Sequence, residues 1–309
     1  MRPAIRPGLG IFRRGPSQLQ IGAAPGCGLV FADRPGLLEF LRLLDGDRDV
    51  ATIACLARER IPALADPPEA LISALEREQI VVDAEAWNAA VAGLRDELRS
   101  LAAAGVRTQT ARERLAQRSQ AYVEIRSDAQ AAGLVTSAID RLGEVGIEAA
   151  RRASGIATVV LVVSHGSGSR SQFASLLDER APHLAVGIDG AVVHIGPFVH
   201  PFVTPCVECA DRGRAEWDPA WAAIVPQLGR PLAPLTDPEP SAVSATVRSA
   251  AAAVIAEEIA AFCDELEPLT ATRTVALGPR VHDRTETAVD LHPDCRCRSE
   301  AGPYPDGLA

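Results

Sequence analysis

The stretch Ala157-Thr-Val-Val-Leu-Val-Val163 is a nearly continuous apolar, β-branched run, and the loop Gly166-Ser-Gly-Ser169 follows it. Such a run predicts a strand that is buried on both faces of a sheet. Strands and helices alternate around it, which predicts an α/β domain over residues 121–309 with a mostly parallel sheet covered by helices on both faces. The other predicted elements of this domain are a strand at 121–125, a helix at 133–142, strands at 184–188 and 192–195, a long apolar helix at 242–262, and closing strands at 275–277 and 288–291.

Composition excludes several classes of function. The formal net charge of -9 argues against a protein that coats nucleic acid. All basic residues are arginine, and the sequence contains no lysine. Schiff-base lysines and the phosphate-binding lysine of a P-loop are therefore excluded. No apolar run is long enough to predict a membrane span, and no signal peptide is evident, so we expect a cytoplasmic protein.

The N-terminal residues 1–86 predict a small module of three strands followed by three helices. The turn Gly15-Pro16-Ser17 separates two predicted strands at 9–14 and 19–22, and Leu29-Val30-Phe31 is the third. Apolar residues at helical spacing then predict helices that begin near Pro35, Asp49 and Pro67. This order of elements predicts a winged-helix-like module.

The charge of this module has the wrong sign for DNA binding. Residues 1–86 carry ten arginines against twelve acidic residues, and the third predicted helix includes Glu69, Glu76 and Glu78. A helix that enters the major groove needs positive charge beside the phosphates. Between the two domains, residues 87–120 predict a helical connector that Gly105 breaks, and the Pro-rich stretch 226–240 predicts an exposed loop.

Two pairs of cysteines have the spacing of a metal site. Cys206-Val-Glu-Cys209 and Cys295-Arg-Cys297 can each turn two sulfurs toward one ion. Four thiolates would complete a tetrahedral structural zinc site with no open position for substrate. His292 could replace one sulfur. The alternative interpretations are four unrelated cysteines or two redox pairs.

The first strand–helix turn of the α/β domain lacks the features of a nucleotide site. A Rossmann-like nucleotide-binding domain needs a glycine-rich turn there, but the sequence reads Arg126-Ser-Asp-Ala-Gln-Ala-Ala-Gly133. Ser127 and Asp128 are predicted helix caps, and Asp128 would repel a phosphate. The Gly166–Arg170 loop is the second candidate for a phosphate cradle, although a solvent loop is the simpler interpretation.

Several of these motifs together resemble a known family. Ile195-Gly-Pro-Phe-Val199, Thr204-Pro-Cys-Val-Glu-Cys-Ala-Asp211 and His292-Pro-Asp-Cys-Arg-Cys297 are similar to the zinc-binding signature of E1-like (ThiF-like) proteins. The branch is the one that works beside YcaO-type cyclodehydratases in the biosynthesis of azole-containing ribosomal peptides, of the thiopeptide or bacteriocin kind. Ile11-Phe-Arg-Arg-Gly-Pro-Ser-Gln-Leu-Gln-Ile-Gly22 and Leu41-Arg-Leu-Leu-Asp-Gly46 resemble its leader-peptide-binding module, the RiPP recognition element.

The resemblance implies an adaptor that is not an enzyme by itself. Its N-terminal module would bind the leader of a precursor peptide as an added strand, and the protein would present that peptide to a YcaO-type cyclodehydratase. The implied contacts are Leu29, Val30, Phe31, Leu71, Ala74, Leu75 and Glu78, and the implied zinc ligands are Cys206, Cys209, Cys295 and Cys297. ATP is not expected as a cofactor, because the glycine-rich turn is degenerate. A homodimer is expected from the family and from the long helix at 242–262, and the alternative function is ATP-dependent adenylation of a peptide or carrier-protein C-terminus.

Overall fold

The protein is described from a computed structural model, which covers residues 1–6, 9–22, 29–78, 80–88, 94–104, 106, 108–151, 156–228 and 242–299. The chain divides into two compact units, residues 1–116 and 117–309. The division lies within residues 87–120, the stretch predicted to be a helical connector. Among the described residues, no helix has the length and apolar character that a membrane crossing requires.

The first unit contains a three-stranded antiparallel sheet in which β3 is central. The strands are β2 (Ile11–Gly15), β3 (Gln18–Ile21) and β4 (Leu29–Ala32). They match the three strands predicted for this module to within two residues at each end. Leu19 and Ile21 of β3 are completely buried and point into the core of the unit. Because side chains alternate along a strand, Gln20 and its neighbours Phe12 and Val30 lie on the opposite face.

Three helices pack on this sheet, and a second small sheet closes the unit. The helices are α1 (Leu37–Leu41), α2 (Val50–Arg60) and α3 (Pro68–Arg77). Asp49 caps α2 as expected, since its carboxylate accepts a hydrogen bond from the Thr52 amide at 2.7 Å. The second sheet pairs β1 (Pro3–Ile5) with β5 (Val81–Asp83), and the strand at 3–5 was not predicted.

Helices continue through the end of the first unit. They are α4 (Ala84–Asn88), α5 (Arg95–Ala103) and α6 (Thr108–Gln120). Leu98 of α5 packs against Ala111 and Leu115 of α6 in a small separate cluster. The predicted break at Gly105 lies outside the described residues.

The second unit is built on a seven-stranded mixed sheet with the order β12-β11-β10-β9-β8-β6-β7. Its strands are β6 (Tyr122–Ser127), β7 (Glu148–Ala150), β8 (Val159–His165), β9 (His183–Asp189), β10 (Val192–Val199), β11 (Arg273–Leu277) and β12 (Arg284–Ala288). The expectation of a mostly parallel sheet is wrong, because the pairings from β9 to β12 are antiparallel. Only two residues separate β9 from β10, which is too short for the crossover that parallel strands need.

Helices cover both faces of this sheet. They are α7 (Ala132–Glu144), α8 (Arg170–Asp178), α9 (Val207–Trp217), α10 (Trp221–Ile224), α11 (Ala245–Cys263) and α12 (Arg296–Ser299). Val159, Leu161 and Val163 of β8 pack toward α7 and α11, whereas Val160 and Val162 pack toward α8 and α9. The apolar run that predicted a strand buried on both faces is therefore the centre of this unit.

The long apolar helix is α11, and it is a core element. Ser244 caps its first turn by accepting a hydrogen bond from the Val247 amide at 3.3 Å. Eight of its residues, including Val247 and Ile255, are buried inside the second unit. The helix therefore does not argue for a dimer, because its apolar surface is already covered. Most of the Pro-rich stretch predicted as a loop, from residue 229 onward, lies outside the described residues.

Candidate functional sites

The four predicted metal ligands meet in one buried cluster. Cys206 is the residue that precedes α9, and Cys209 lies in the first turn of that helix. Cys295 and Cys297 lie at the beginning of α12. All four side chains are at most 4% exposed. The chain therefore brings together two segments that are 86 or more residues apart in sequence.

The distances between the sulfurs fit one tetrahedral ion. The Sγ–Sγ distances are 3.9 Å for Cys206–Cys209, 3.5 Å for Cys206–Cys295 and 3.4 Å for Cys209–Cys297. All four sulfurs lie within 4.8 Å of one another. Zinc–sulfur bonds of about 2.3 Å place tetrahedral sulfurs about 3.8 Å apart, whereas a disulfide would hold them at about 2.0 Å. The four cysteines can therefore hold a metal ion, and they form the only such group among the described residues.

The electrostatics of the cluster favour a bound cation. Hydrogen bonds from the Cys206 and Cys297 thiols lower the pKa of the Cys209 thiol, and a further bond comes from the His292 amide at 3.5 Å. Burial raises the pKa of Cys295 to about 12. Without a cation, only some of these sulfurs can ionise together. A divalent metal offsets the repulsion and allows all four to bind as thiolates.

His292, the alternative ligand, is oriented away from the ligand position. Its Nδ1 accepts a hydrogen bond from the Asp294 amide at 3.1 Å, and its Nε2 lies 3.3 Å from Glu216. Both ring nitrogens are thus already engaged. The backbone amide of His292, rather than its ring, contacts the cluster. An amide that donates a hydrogen bond to a ligand sulfur in this way stabilises its thiolate charge.

The crevice beside the end of β6, where the strand order of the sheet reverses, is bridged by hydrogen bonds within the protein. Strands β7 and β8 flank β6 on opposite sides, and nucleotides usually bind at the crevice between such strands. Here Asp128 bridges it: its Oδ2 accepts from the His165 amide at 2.7 Å, and its own amide donates to the Val163 carbonyl at 3.2 Å. The prediction that Asp128 caps the following helix is wrong, because its carboxylate makes no hydrogen bond to the first turn of that helix. Its partner is instead the His165 amide of the neighbouring strand β8.

In the Gly166–Arg170 loop, the second candidate for a phosphate cradle, a backbone amide is already hydrogen-bonded within the protein. Gly166 donates its N–H to the Ile188 carbonyl at 2.6 Å, so the loop is bonded to the end of β9. Gly187 permits this approach, because a Cβ there would lie 2.6 Å from the Gly166 oxygen. The first N–H of the loop is thus not free to bind an anion.

Among the described residues, no strand pairs with the outer edge of β4, the third strand of the N-terminal sheet. Asp33 donates its amide to the Ser17 carbonyl at 2.8 Å, which fixes the hydrogen-bonding phase of the β3–β4 ladder. Bonded and non-bonded pairs alternate in an antiparallel ladder. Phe31 is therefore in a bonded pair, whereas the N–H and C=O of Val30 point away from β3. Val30 is 40% exposed.

The predicted peptide contacts differ in accessibility. Leu29 is exposed, and Phe31 is half-buried against the core of the first unit. On α3, Leu71 and Ala74 are half-buried, while Glu78 directly after the helix is exposed. Leu75 is only 6% exposed and belongs to the core. The structure thus presents Leu29, Val30 and Glu78 to solvent and uses Leu75 for packing.

Sequence reasoning missed a polar network beside the cysteine cluster. The Asp211 carboxylate accepts from Arg170 Nε at 2.5 Å and Nη2 at 2.8 Å, and also from the Trp221 indole at 3.0 Å. These residues belong to three different helices. No local pattern signals such a group, because the tertiary fold alone brings α8, α9 and α10 together.

Comparisons with known proteins identify a shared fold. No protein-family model and no curated protein matches the sequence. A solved structure of a heterocyclase in complex with substrate and cofactor has a TM-score of 0.67 and 16% identity, over 96% of this chain and 39% of that one. The heterocyclase TruD has a TM-score of 0.67 and 17% identity, over 96% of this chain and 42% of that one. Escherichia coli MccB, solved with AMPCPP and MccA, has a TM-score of 0.62 and 12% identity, over 96% and 99% of the two chains.

The coverage differs between these structures. This chain spans about two fifths of the length of the two heterocyclase chains, whereas it matches nearly all of MccB. At identities of 12–17% the similarity establishes the fold alone. Both units of the chain therefore have the architecture found in heterocyclases and in MccB.

Proposed function

We propose that this protein is an E1-like adaptor that binds the leader of a ribosomal precursor peptide. It presents the peptide to a YcaO-type cyclodehydratase, which forms azoline or azole rings in the cytoplasm. The observation that carries this proposal is the open edge of β4, with the backbone groups of Val30 directed outward. The shared fold with a heterocyclase that was solved with its substrate supports it.

The edge of β4 has the chemistry that strand addition requires. An added peptide strand would exchange backbone hydrogen bonds with Val30, and its side chains would lie beside the exposed Leu29. Backbone bonds supply affinity, while neighbouring pockets select particular side chains. Glu78 is an exposed residue of the same unit, and its negative charge favours a leader with basic or polar groups. Such an exposed charge affects specificity more than affinity.

The four-cysteine cluster is the proposed structural zinc site. Cys206, Cys209, Cys295 and Cys297 would hold the ion with all four coordination positions filled by sulfur. Zinc with a complete set of protein ligands joins chain segments and does not activate water. The ion would therefore stabilise the second unit without entering a reaction.

The second candidate function is adenylation of a peptide or carrier-protein C-terminus. It is favoured by the match over nearly the full length of MccB, which was also solved with ATP. Two features of this chain weigh against it. The Asp128 carboxylate occupies the crevice where a nucleotide phosphate would approach, and the sequence has no lysine to neutralise that phosphate.

The oligomeric state is proposed on the resemblance alone. With α11 buried in the second unit, we propose a homodimer only because the family is expected to form one. Sedimentation equilibrium of the full chain measures this directly. A monomer at micromolar concentration would reject the dimer and leave the adaptor proposal intact.

The decisive experiment blocks the β4 edge. The neighbouring genes are first searched for a short Cys/Ser/Thr-rich precursor, and a fluorescent peptide with the leader sequence of that precursor is titrated against the full-length protein. Val30→Pro removes the outward N–H and places a ring in the path of an added strand, so we expect at least about tenfold weaker binding. Arg13→Pro is the matched control, because Arg13 holds the equivalent outward position on the opposite edge strand, β2.

The outcomes of this titration are distinct. Circular dichroism first checks that both proline variants fold. Loss of binding in Val30→Pro with retention in Arg13→Pro supports strand addition to β4. Wild-type affinity in a folded Val30→Pro variant would reject this edge as the leader site. Glu78→Arg is expected to change leader preference and salt dependence while preserving strand addition.

A further inference from the structure

The second unit contains a cavity of 640 Å³ beside the cysteine cluster, lined in large part by helices α8 and α9. Its volume is in the range of small-molecule sites. Phe173 and Leu177 are the buried part of its apolar lining. Other apolar side chains of the lining are accessible, since Ala215 and Val225 are half-buried and Ala222 is exposed. A ligand can therefore contact an apolar wall without displacing the core.

The cavity carries one carboxylate more than its arginines can neutralise. Each arginine of the lining is already paired with a carboxylate, at shortest N–O distances of 2.5, 2.7 and 2.9 Å. The three pairs are Arg170–Asp211, Arg212–Glu208 and Arg296–Asp178. Glu216 also lines the cavity, and no arginine of the described part of the chain forms an ion pair with it. The excess charge is therefore negative and lies on Glu216.

The partner that Glu216 does have is an uncharged ring. Nε2 of His292 lies 3.3 Å from the Glu216 carboxylate. Nδ1 of the same ring accepts a hydrogen bond from the Asp294 amide at 3.1 Å. Because Nδ1 is an acceptor, the single ring proton is on Nε2, and the imidazole donates one neutral hydrogen bond to Glu216. This bond orients the carboxylate but does not neutralise it.

Helix α9 places the apolar wall and this carboxylate side by side. Ala215 and Glu216 are consecutive residues of the helix, and both line the cavity. Arg212, one turn earlier, bonds through Nε and Nη2 to Glu208 in the preceding turn, at 2.9 and 2.7 Å. Its guanidinium is therefore directed away from Glu216. The Glu216 side chain is 70% exposed, so the carboxylate lies where the cavity opens to solvent.

We infer that this cavity binds a small amphiphilic amine, whose apolar body lies against Ala215 and Val225 and whose ammonium group lies beside the Glu216 carboxylate. Apolar contact supplies most of the affinity, and the carboxylate selects the charge of the ligand. Alkyl amines are protonated at neutral pH, as the lysine side chain is. The site lies within the second unit and does not depend on the proposed adaptor function. It is not assigned to any reaction.

The test compares tryptamine with tryptophol, in which a neutral hydroxyl replaces the ammonium group. Both are titrated against the full-length protein by ligand-observed nuclear magnetic resonance at low ionic strength. We expect tryptamine to bind about three- to fivefold more tightly than tryptophol, the effect of one ion pair that is open to solvent. The preference should decrease when sodium chloride is raised to about 0.5 M. Equal affinities at low salt, or no binding of tryptamine at millimolar concentration, would overturn the inference.

Two pairs of variants locate the contact. Glu216→Gln should abolish the preference for tryptamine, whereas Glu257→Gln removes the same charge from an exposed position of α11 outside the lining and should retain it. Ala215→Leu narrows the cavity and should weaken both ligands about fivefold or more, whereas Ala223→Leu on α10, outside the lining, should leave both unchanged. An unchanged preference in Glu216→Gln, or equal binding to the two leucine variants, would place the ligand elsewhere and refute the site.

Discussion

The guanidinium of Arg118 and the carboxylate of Asp264 form a buried, two-pronged ion pair. The Nε–Oδ1 and Nη2–Oδ2 distances are both 2.8 Å, and the side chains are 5% and 2% exposed. The pair joins the last turn of α6 to the residue that follows α11. Burying two charges is costly, and the parallel geometry of both hydrogen bonds offsets that cost. Removal of one partner alone would leave the other charge uncompensated.

Asp264→Ala is therefore expected to lower the free energy of unfolding by about 3 kcal/mol or more. The matched control is Asp283→Ala, which removes the carboxylate from the exposed Arg280–Asp283 pair and is expected to change stability little. Urea denaturation of the full chain measures both variants against the wild type. Equal effects of the two substitutions on the free energy of unfolding would show that burial does not increase the contribution of the Arg118–Asp264 pair to stability.

The cysteine cluster predicts one zinc ion per purified chain. Cys209→Ser removes one of four ligands, so we expect loss of zinc by elemental analysis and a melting temperature lower by about 5 °C or more. Cys55→Ser is the control, because Cys55 is an exposed cysteine outside the cluster. Chelation of the wild type should reproduce the effect of Cys209→Ser. Purified wild type without tightly bound zinc, or wild-type stability of Cys209→Ser, would reject the proposal that the four cysteines bind zinc.

Features that depend on local pattern were predictable from the sequence. The apolar run at 157–163 is the strand buried between two helical layers, and the paired cysteines converge as their spacing indicates. Asp49 caps its helix, since a cap depends on residues only three apart. In these cases the determining residues are close in sequence or share one chemical property.

Features that depend on tertiary geometry could not be predicted from the sequence. The last strand was expected at 288–291 because Val289 and Leu291 are apolar, but β12 spans the polar, exposed residues Arg284–Ala288. Asp128 bonds to the adjacent strand rather than to its own helix, and this partner is 37 residues away in sequence. The apolar helix at 242–262 was predicted to be buried or to form a dimer interface, and α11 is buried against α7 and β10. The choice between these two depended on tertiary packing.

ATP-dependent activation is expected to be absent from the isolated protein. Full-length protein, a precursor peptide and ATP should give no pyrophosphate exchange above background, because Asp128 and the Gly166 loop occupy the crevice and no lysine is present. An adenylating enzyme run in parallel verifies the assay. Exchange that depends on the peptide would favour the adenylation alternative over the adaptor. Loss of leader binding in Val30→Pro is a separate readout, so the two proposals fail independently.

His183 predicts an acid-dependent loss of stability in the second unit. Burial lowers the pKa of His183 to about 4 in the folded protein, against about 6.5 in an unfolded chain. At about pH 7.5 and above, the ring is neutral in both states and has almost no effect on stability. As the pH falls from 6.5 toward 4, the unfolded chain takes up a proton that the folded protein does not, so the free energy of unfolding decreases. Between pH 7.5 and 5 the decrease from this group is about 2 kcal/mol.

The measurement compares wild type with His183→Phe in urea denaturation at both pH values. The variant has no ring to protonate, so its stability should fall by about 2 kcal/mol less than that of the wild type over this interval. Protonation of the thiols affects both proteins alike, and the difference between them therefore isolates His183. His282→Phe, which alters an exposed histidine, should retain the wild-type pH dependence. An unchanged pH dependence in a folded His183→Phe variant would contradict the neutral, buried state of this ring.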